Sequence, residues 1–341
     1  MKIGNFELGK DGVYIVAELS ANHAQSIDIA KKSIVAAKEA GADAIKLQTY
    51  DAASMTLNVE HKDFMANPKG AWAGKKLYEL YEESALPWQW HKELFTYAKE
   101  VGIDIFSSPF DTKAVDFLEQ FEPVAYKIAS FEITDYNLIE YTAKKQRPLI
   151  ISTGVATIQE IQDVVDIARG VGNEDIVLLQ CTSSYPAPLD EANLAMIPSL
   201  AQTFGVLSGF SDHTLGVEAP IVATTLGAVL IEKHFILDKS LLSADASFSL
   251  DKKEFAQMVQ SVRKAQALLG KVDYSMNEKK AQRRHATRSL YVVQDIKKGE
   301  VFTHKNIKAI RPGYGMHPKH LQEILGKKAQ RDYKVAERFS F

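Results

Sequence analysis

Along its first 270 residues the chain alternates short apolar runs rich in β-branched residues with longer stretches whose apolar positions recur every three or four residues. The runs predict eight buried strands: Val13–Leu19, Ala44–Gln48, Ile103–Ser107, Ala125–Ala129, Leu149–Ser152, Ile176–Cys181, Val206–Gly209 and Val229–Lys233. Such runs, apolar on both faces, suit a parallel sheet covered by helices. The stretches between them read as helices. Thr157-Ile158-Gln159-Glu160 is a capping box, followed by an apolar face of Ile161, Val164, Val165 and Ala168. Ser26 opens a helix whose stripe is Ile27, Ala30, Ile34 and Ala37. The last helix carries Phe255, Met258, Val259, Val262 and Leu269 and closes at Gly270. Eight strand–helix units in roughly 250 residues match an α/β fold of the (β/α)8 TIM-barrel type. A doubly wound open sheet is the alternative. It would favour a glycine-rich turn after the first strand, where this chain has Glu18-Leu19-Ser20-Ala21-Asn22-His23.

Two stretches break the rhythm. Between Gln48 and a helix beginning near Pro87 lie almost forty residues, with Phe64, Trp72, Tyr78 and Tyr81 among them. Ordinary βα loops have a handful, so a partly helical lid over the barrel mouth is expected, against a decorative insertion. After Gly270 the pattern changes. Residues 271–285 are polar and suggest a linker, and 286–341 read as a compact β-rich module broken by Lys297-Lys298-Gly299-Glu300 and Arg311-Pro312-Gly313-Tyr314-Gly315. The expected division is a catalytic barrel at 1–270, a linker at 271–285 and a small domain at 286–341.

Composition adds little to this picture, but charge does. No apolar run approaches the roughly 18 residues of a membrane span, and the N-terminus lacks the apolar core of a signal peptide. The single Cys181 excludes an intrachain disulfide and fits a reducing compartment, so a cytoplasmic protein is expected. The net charge of −2 hides an asymmetry. Residues 279–341 carry 16 Lys and Arg against 5 Asp and Glu, whereas the rest carries 25 against 38. A basic tail can bind nucleic acid. It can equally dock on an acidic surface such as the larger part of this protein offers.

In a barrel of this kind functional groups sit where strands end, and all eight expected strands finish in polar residues. His213 and His234 follow consecutive strands, which lie about 5 Å apart, so both imidazoles can face one volume. Two neutral imidazoles suit a divalent metal that also holds water or substrate; a hydrogen-bonded structural pair is the alternative. Lys46 and Lys127 lie within strands, where a lysine is costly unless it is paired or bound to an anion. Ringed by Ser107, Ser108, Ser130, Ser152, Ser183 and Ser211, they make a site for phosphate plus carboxylate. Structural salt bridges with Glu18, Glu132 or Glu232 are the alternative, and a Schiff-base lysine is another. Together the set suits condensation of a small phosphorylated carboxylate with a metal-polarised carbonyl compound.

The stretches Ala17-Glu18-Leu19-Ser20-Ala21-Asn22-His23, Gly41-Ala42-Asp43-Ala44-Ile45-Lys46-Leu47-Gln48-Thr49, Tyr126-Lys127-Ile128-Ala129-Ser130-Phe131-Glu132, Ser152-Thr153-Gly154, Gly209-Phe210-Ser211-Asp212-His213 and Glu232-Lys233-His234-Phe235 closely resemble the sialic acid synthase family, in order and over essentially the whole chain. The tail resembles that family's antifreeze-like (SAF, β-clip) domain. The resemblance implies a nonulosonic acid synthase that condenses phosphoenolpyruvate with an open-chain amino sugar. It implies His213 and His234 as ligands of a divalent metal, typically Mn²⁺ with Mg²⁺ or Co²⁺ possible. Lys46, Ser108, Lys127, Ser130, Ser152, Ser183 and Ser211 are implied around phosphoenolpyruvate, and Glu18, Gln48, Glu132, Tyr185 and Asp245 around the sugar and the attacking water. Proton transfer falls to Glu18 or Glu132, with Asp245 beside them. The resemblance further implies a domain-swapped homodimer in which Arg311 reaches the partner's sugar site, with no nucleic acid or membrane partner.

Two departures narrow the branch. Cys181-Thr182-Ser183-Ser184-Tyr185-Pro186 has Ser183 where N-acetylneuraminate-type members usually have Asn. Leu241-Leu242-Ser243-Ala244-Asp245-Ala246-Ser247-Phe248 lacks their Pro-Gly-Pro-Asp. With His317-Pro318-Lys319 after Arg311, these features resemble the pseudaminic acid branch, whose sugar is a 2,4-diacetamido-2,4,6-trideoxy-altropyranose destined for surface glycans or flagellin. The alternatives are an N-acetylneuraminate or legionaminic acid synthase, a Schiff-base aldolase using Lys46 or Lys127, and a non-catalytic binding protein with a basic tail.

Overall fold

A computed structural model describes residues 1–66, 74–241 and 243–340. Of the expected lid residues Trp72 lies outside the described residues, as does Leu242 of the 241–248 segment. The chain opens with a small antiparallel hairpin, β1 (Lys2–Ile3) and β2 (Phe6–Glu7). Eight parallel strands follow: β3 (Tyr14–Glu18), β4 (Ala44–Thr49), β5 (Asp104–Pro109), β6 (Tyr126–Ile128), β7 (Leu149–Ser152), β8 (Ile176–Cys181), β9 (Leu207–Asp212) and β10 (Leu230–His234). They pair in sequence order, and β10 closes onto β3 with Leu230 opposite Tyr14 and His234 opposite Glu18. The expected closed barrel is present and the open sheet is excluded.

Strand ends shift by a few residues, most at β9, which runs past Gly209 to Asp212. Ser211 and Asp212 looked like loop because they are polar, but a barrel mouth lined by function takes polar residues within its strands. Gly209 has a separate reason. A Cβ there would collide with the Leu230 carbonyl and come within 2.8 Å of Leu179, so only glycine lets β9 and β10 approach.

The helices start where side chains satisfy the free N–H groups of the first turn. Ser26 Oγ accepts from Ile29 N ahead of the helix Ile27–Glu39, and the Thr157–Glu160 capping box opens Ile158–Gly170. A second capping box, Asp251 with Glu254, opens Lys252–Leu269. Their apolar stripes pack on the outward strand residues Ile15, Ile45, Ile105, Ile151 and Ile231 in one continuous core.

The other strand residues fill the interior. Tyr14, Val16, Ala44, Phe106, Ile150, Val177, Leu179 and Leu230 form a separate core, joined by Ile3 and Leu8 from the hairpin region. The hairpin thus stoppers one end of the barrel, with Phe6 edge-on to Tyr14 at 5.1 Å. Because side chains alternate with period 2, two residues beyond each apolar interior position comes the next interior one. Val16 leads to Glu18, Ala44 to Lys46, Phe106 to Ser108, Ile150 to Ser152, Leu179 to Cys181, and Leu230 to Glu232 and His234.

The long connection after β4 is partly helical, as expected, with turns at Ala52–Met55 and Lys62–Phe64 and a helix at Leu77–Ser84. Tyr81 packs edge-on to Tyr50 at 6.0 Å. Gln25 Nε2 donates to the carbonyls of Glu83 and Ala85, tying the end of this segment to the loop after β3.

The chain divides into two compact units, Met1–Gly270 and Lys271–Phe341. The stretch expected as a linker carries a short helix, Glu278–Arg283, within the second unit. That unit holds one antiparallel pair, β11 (Ser289–Val292) with β12 (Ile307–Ile310), and isolated bridges such as Ile296–Tyr333 and Val301–Lys328. Its own core gathers Leu290, Val292, Ile296, Phe302, Ile307, Ile324 and Tyr333. Among the described residues no helix is long and apolar enough to cross a membrane.

Candidate active site

Where the apolar interior ends, a layer of charge begins. Lys46, on β4, places its ammonium 2.8 Å from Glu18 Oε2 and 3.5 Å from Glu232 Oε1. Lys127, on β6, stands 3.9 Å from the same Glu232 oxygen and donates to the Ile128 carbonyl at 3.1 Å. All four side chains are buried. Ser211 donates to Glu232 Oε1 at 3.1 Å, Gln48 to Glu18 Oε1 at 2.8 Å, and Lys46 to Ser108 Oγ at 3.3 Å. Both lysines thus have carboxylate partners. The salt-bridge alternative holds for Glu18 and Glu232 and does not extend to Glu132.

The two carboxyls of this layer are shifted in opposite directions. Burial pushes Glu232 up, but Lys127 and Lys46 outweigh it and bring its carboxyl down to about 2. Glu18 goes the other way: burial and the nearby Glu232 lift it to about 7, with Lys46 opposing. Burial lowers Lys127, partly offset by Glu232, whereas for Lys46 the two carboxylates overcome burial and raise it. Glu232 is thus held ionised beside the two lysines while Glu18 is held toward its neutral form, which leaves the Lys46 ammonium able to take an incoming anion.

Beside the lysines lies a hydroxyl cradle. Ser183 Oγ donates to Ser130 Oγ at 3.0 Å, and Ser152 Oγ is buried with no hydrogen-bond partner. Gly154 follows β7 here. A Cβ on it would lie 2.7 Å from Ser183 Oγ and 2.8 Å from the Cys181 carbonyl, so its backbone closes on the serines as no other residue could. Ser107, counted with this ring from sequence, is not in it. Alternation turns it outward, where its hydroxyl pairs with Thr49 at 2.6 Å, and Thr49 meets His91 Nε2 at 2.8 Å.

His213 and His234 do come together, with ring centroids 5.3 Å apart. Burial drives both toward the neutral form, His213 to about 4 and His234, also opposed by Lys46, to about 3. His213 Nδ1 lies 2.9 Å from the Thr182 carbonyl. A neutral ring must donate there, which leaves its Nε2 lone pair free. His234 Nδ1 is buried without a hydrogen-bond partner and stands 3.6 Å from Asp245 Oδ2. Tyr185 lies 4.3 Å from the His213 ring, and Phe248 sits 4.9 Å from that of His234. Among the described residues no group of three or more His, Cys, Asp or Glu is placed to hold a metal ion.

Glu132 follows β6 in the short turn Ser130–Glu132. Burial lifts its carboxyl to about 7 against the pull of Lys127, and Oε2 has no partner. Burial also raises Asp245, which accepts from the Ala21 N–H at 3.5 Å. Arg311 belongs to the second unit and is exposed.

Two residues of the interior do more than their sequence positions suggest. Glu232 was seen only as a strand ending and a lysine partner, yet it bridges both lysines. Cys181 points its thiol to within 3.8 Å of His213 Nδ1. The signal was available in the alternation from Leu179 and Leu230.

Comparison with known proteins bears on both units of the chain. The NeuB family model matches residues 33–274 and the SAF domain model residues 287–334. The chain is 50% identical over 337 residues to the pseudaminic acid synthase of Campylobacter jejuni, covering 99% of this chain and 98% of that protein. It is 49% identical to the pseudaminic acid synthase of Helicobacter pylori, covering 94% of each. Among solved structures, the spore coat polysaccharide biosynthesis protein SpsE of Bacillus subtilis superimposes with a TM-score of 0.69 at 35% identity, over 98% of this chain and 96% of that one. A polar constellation at the mouth of an eight-stranded barrel, and family matches that run through both units, lead to one assignment: the chain belongs to the NeuB family and carries a C-terminal SAF domain.

Proposed function

We propose that this protein is a phosphoenolpyruvate-dependent nonulosonate synthase that acts on 2,4-diacetamido-2,4,6-trideoxy-altropyranose in its open-chain form and releases phosphate. The observation that carries the chemistry is the placement of two buried lysines, bridged by one carboxylate, in the same mouth as two neutral imidazoles. The choice of sugar leans on near-full-length identity to two proteins named pseudaminic acid synthases. The aromatic wall of Tyr185 and Phe248 supports a sugar that is apolar at C6.

Lys46 and Lys127 bind the phosphate and carboxylate of phosphoenolpyruvate, replacing part of their pairing with Glu18 and Glu232. Ser152, Ser130, Ser183 and Ser211 supply hydroxyls, and Ser108 orients Lys46. The free Nε2 of His213 and the unpartnered Nδ1 of His234 fit a divalent cation, Mn²⁺ first with Mg²⁺ or Co²⁺ as substitutes. Such a cation, when bound, supplies Lewis acidity to a carbonyl oxygen.

C3 of phosphoenolpyruvate attacks the aldehyde carbon, water adds at C2, and phosphate leaves by C–O cleavage. Glu132 takes the proton from the water. Both carboxyls lifted to about 7 have a buried Oε2 without a hydrogen bond, but that of Glu18 is ion-paired with Lys46 at 2.8 Å and its Oε1 accepts from Gln48, whereas Glu132 has no such ion pair among the described residues. Gln48 and Asp245 orient the sugar. Arg311 closes the site of a partner chain in a homodimer, a reading supported by the opposed charges of the tail and the remainder. The lone buried thiol Cys181 suits a cytoplasmic setting.

The test is phosphate release with the altro-sugar, N-acetylmannosamine and the legionaminic acid precursor side by side, run in ¹⁸O-water. The altro-sugar should be turned over fastest, with label in the product and none in phosphate. Label in phosphate overturns the C–O route. Turnover of another sugar alone moves the protein to that branch. A borohydride-trapped pyruvate adduct would indicate the aldolase alternative instead.

A further inference from the structure

Immediately behind the two imidazoles lies a charged cluster that the reaction does not use. Lys233 and Asp212 are register partners on β10 and β9, and both are buried. Alternation turns them away from the interior, into the layer where Ile231 and Phe210 pack against helices. Lys233 Nζ donates to Asp212 Oδ2 and, at 2.6 Å, to the Thr214 carbonyl. Asp212 Oδ1 accepts from both the N–H and the hydroxyl of Thr214, each at 2.8 Å. Every one of these bonds ends on residue 233 or on the segment 212–214. His213 lies inside that segment, and His234 follows Lys233 directly.

Stability alone does not account for the cluster. Two buried charges lose their hydration, and a well-packed apolar pair of similar volume commonly serves the fold as well or better. The neighbouring positions of the same layer are filled in just that way. What an ion pair with two further hydrogen bonds adds is a fixed geometry. We infer that Asp212 and Lys233 are positioning residues for the imidazole pair: their contact, with the Thr214 bonds, bolts the 212–214 turn to β10 and fixes the separation of His213 from His234. The inference rests on the reading of those imidazoles as ligands of a divalent cation, whose outer-layer partners commonly govern affinity.

The experiment measures binding rather than turnover. Dissociation constants for Mn²⁺ alone and for phosphoenolpyruvate alone are determined by calorimetry on the full chain. The variants are Lys233→Met, the Asp212→Asn/Lys233→Met pair, which leaves no unpaired charge, and His213→Ala/His234→Ala as reference. In both clamp variants Mn²⁺ binding should weaken about 10- to 100-fold. Phosphoenolpyruvate binding should stay within about twofold, because Lys46 and Lys127 stand on other strands. Unchanged Mn²⁺ affinity in the double variant overturns the positioning role while leaving the metal reading intact. Equal loss of both ligands in the double variant also overturns it, since the pair would then support the whole rim. A parent protein that binds Mn²⁺ no better than the reference variant overturns the metal reading, and the positioning role with it.

Discussion

Glu232 stands between Lys46 and Lys127, one carboxylate oxygen lying 3.5 Å from the first ammonium and 3.9 Å from the second. The acid is thus a placeholder charge that keeps two buried cations from facing each other. Glu232→Gln removes it and should cost on the order of 3–5 kcal/mol of stability, the usual penalty for leaving buried charge uncompensated. Inorganic phosphate should recover more of that loss in the variant than in the parent. Thermal melts with and without phosphate check both. An unaltered melting temperature would contradict the bridging role.

Ser152 offers the opposite case. Its hydroxyl is buried and unpartnered, so Ser152→Ala removes an unsatisfied group and should leave stability within about 1 kcal/mol of the parent or slightly above it. Phosphoenolpyruvate affinity should nevertheless fall, by roughly tenfold for one lost hydrogen bond to a charged ligand. Calorimetry on the same sample separates the two effects.

Glu132 is lifted to about 7 by burial. As the acceptor of a proton it works only when ionised, so kcat/KM should rise with pH through about 7 and level off above. Glu132→Gln should lower the rate about 10²- to 10⁴-fold and abolish that limb. Stability has the reverse sign: a carboxyl raised above its unfolded value loses stability as pH climbs from about 4.5 to about 7. Melts of the Gln variant across this window should show a shallower decline than the parent.

Gly154→Ala places a methyl group 2.7 Å from Ser183 Oγ and 2.8 Å from the Cys181 carbonyl. The hydroxyl can turn, but the carbonyl belongs to β8 and cannot. We expect a folded protein with a raised KM for phosphoenolpyruvate and little change in its response to Mn²⁺, read from steady-state kinetics.

Arg311 is tested by complementation. Arg311→Ala and His213→Ala chains should each be inactive alone, and mixing them should restore part of the activity if one chain's arginine serves its partner's barrel. Mixtures no more active than their components would refute the exchange.

Much of the barrel was legible because its two periodicities are distinct. The capping box at Thr157 and the stripe after Ser26 fell where the structure has them, and each apolar run became a strand. The strand ends were less legible. Hydropathy marks Ser211 and Asp212 as loop, and only closure of the barrel shows that polar residues there continue a strand. Ser107 and Ser108 are chemically the same in sequence, and the strand's phase alone sends one to the helices and the other to Lys46. Glu132 and Glu18 are alike in sequence, and only the fold gives Glu18 its ion pair with Lys46. Arg311 carries no local signal of the role proposed for it, since an exposed arginine at the end of a strand is common.

The hairpin Lys2–Glu7 and the apolar layer above it close the tube from below. With that end plugged by Ile3 and Leu8, whatever reaches Lys46 and Lys127 has to come and go by the end of the barrel at which the two imidazoles stand.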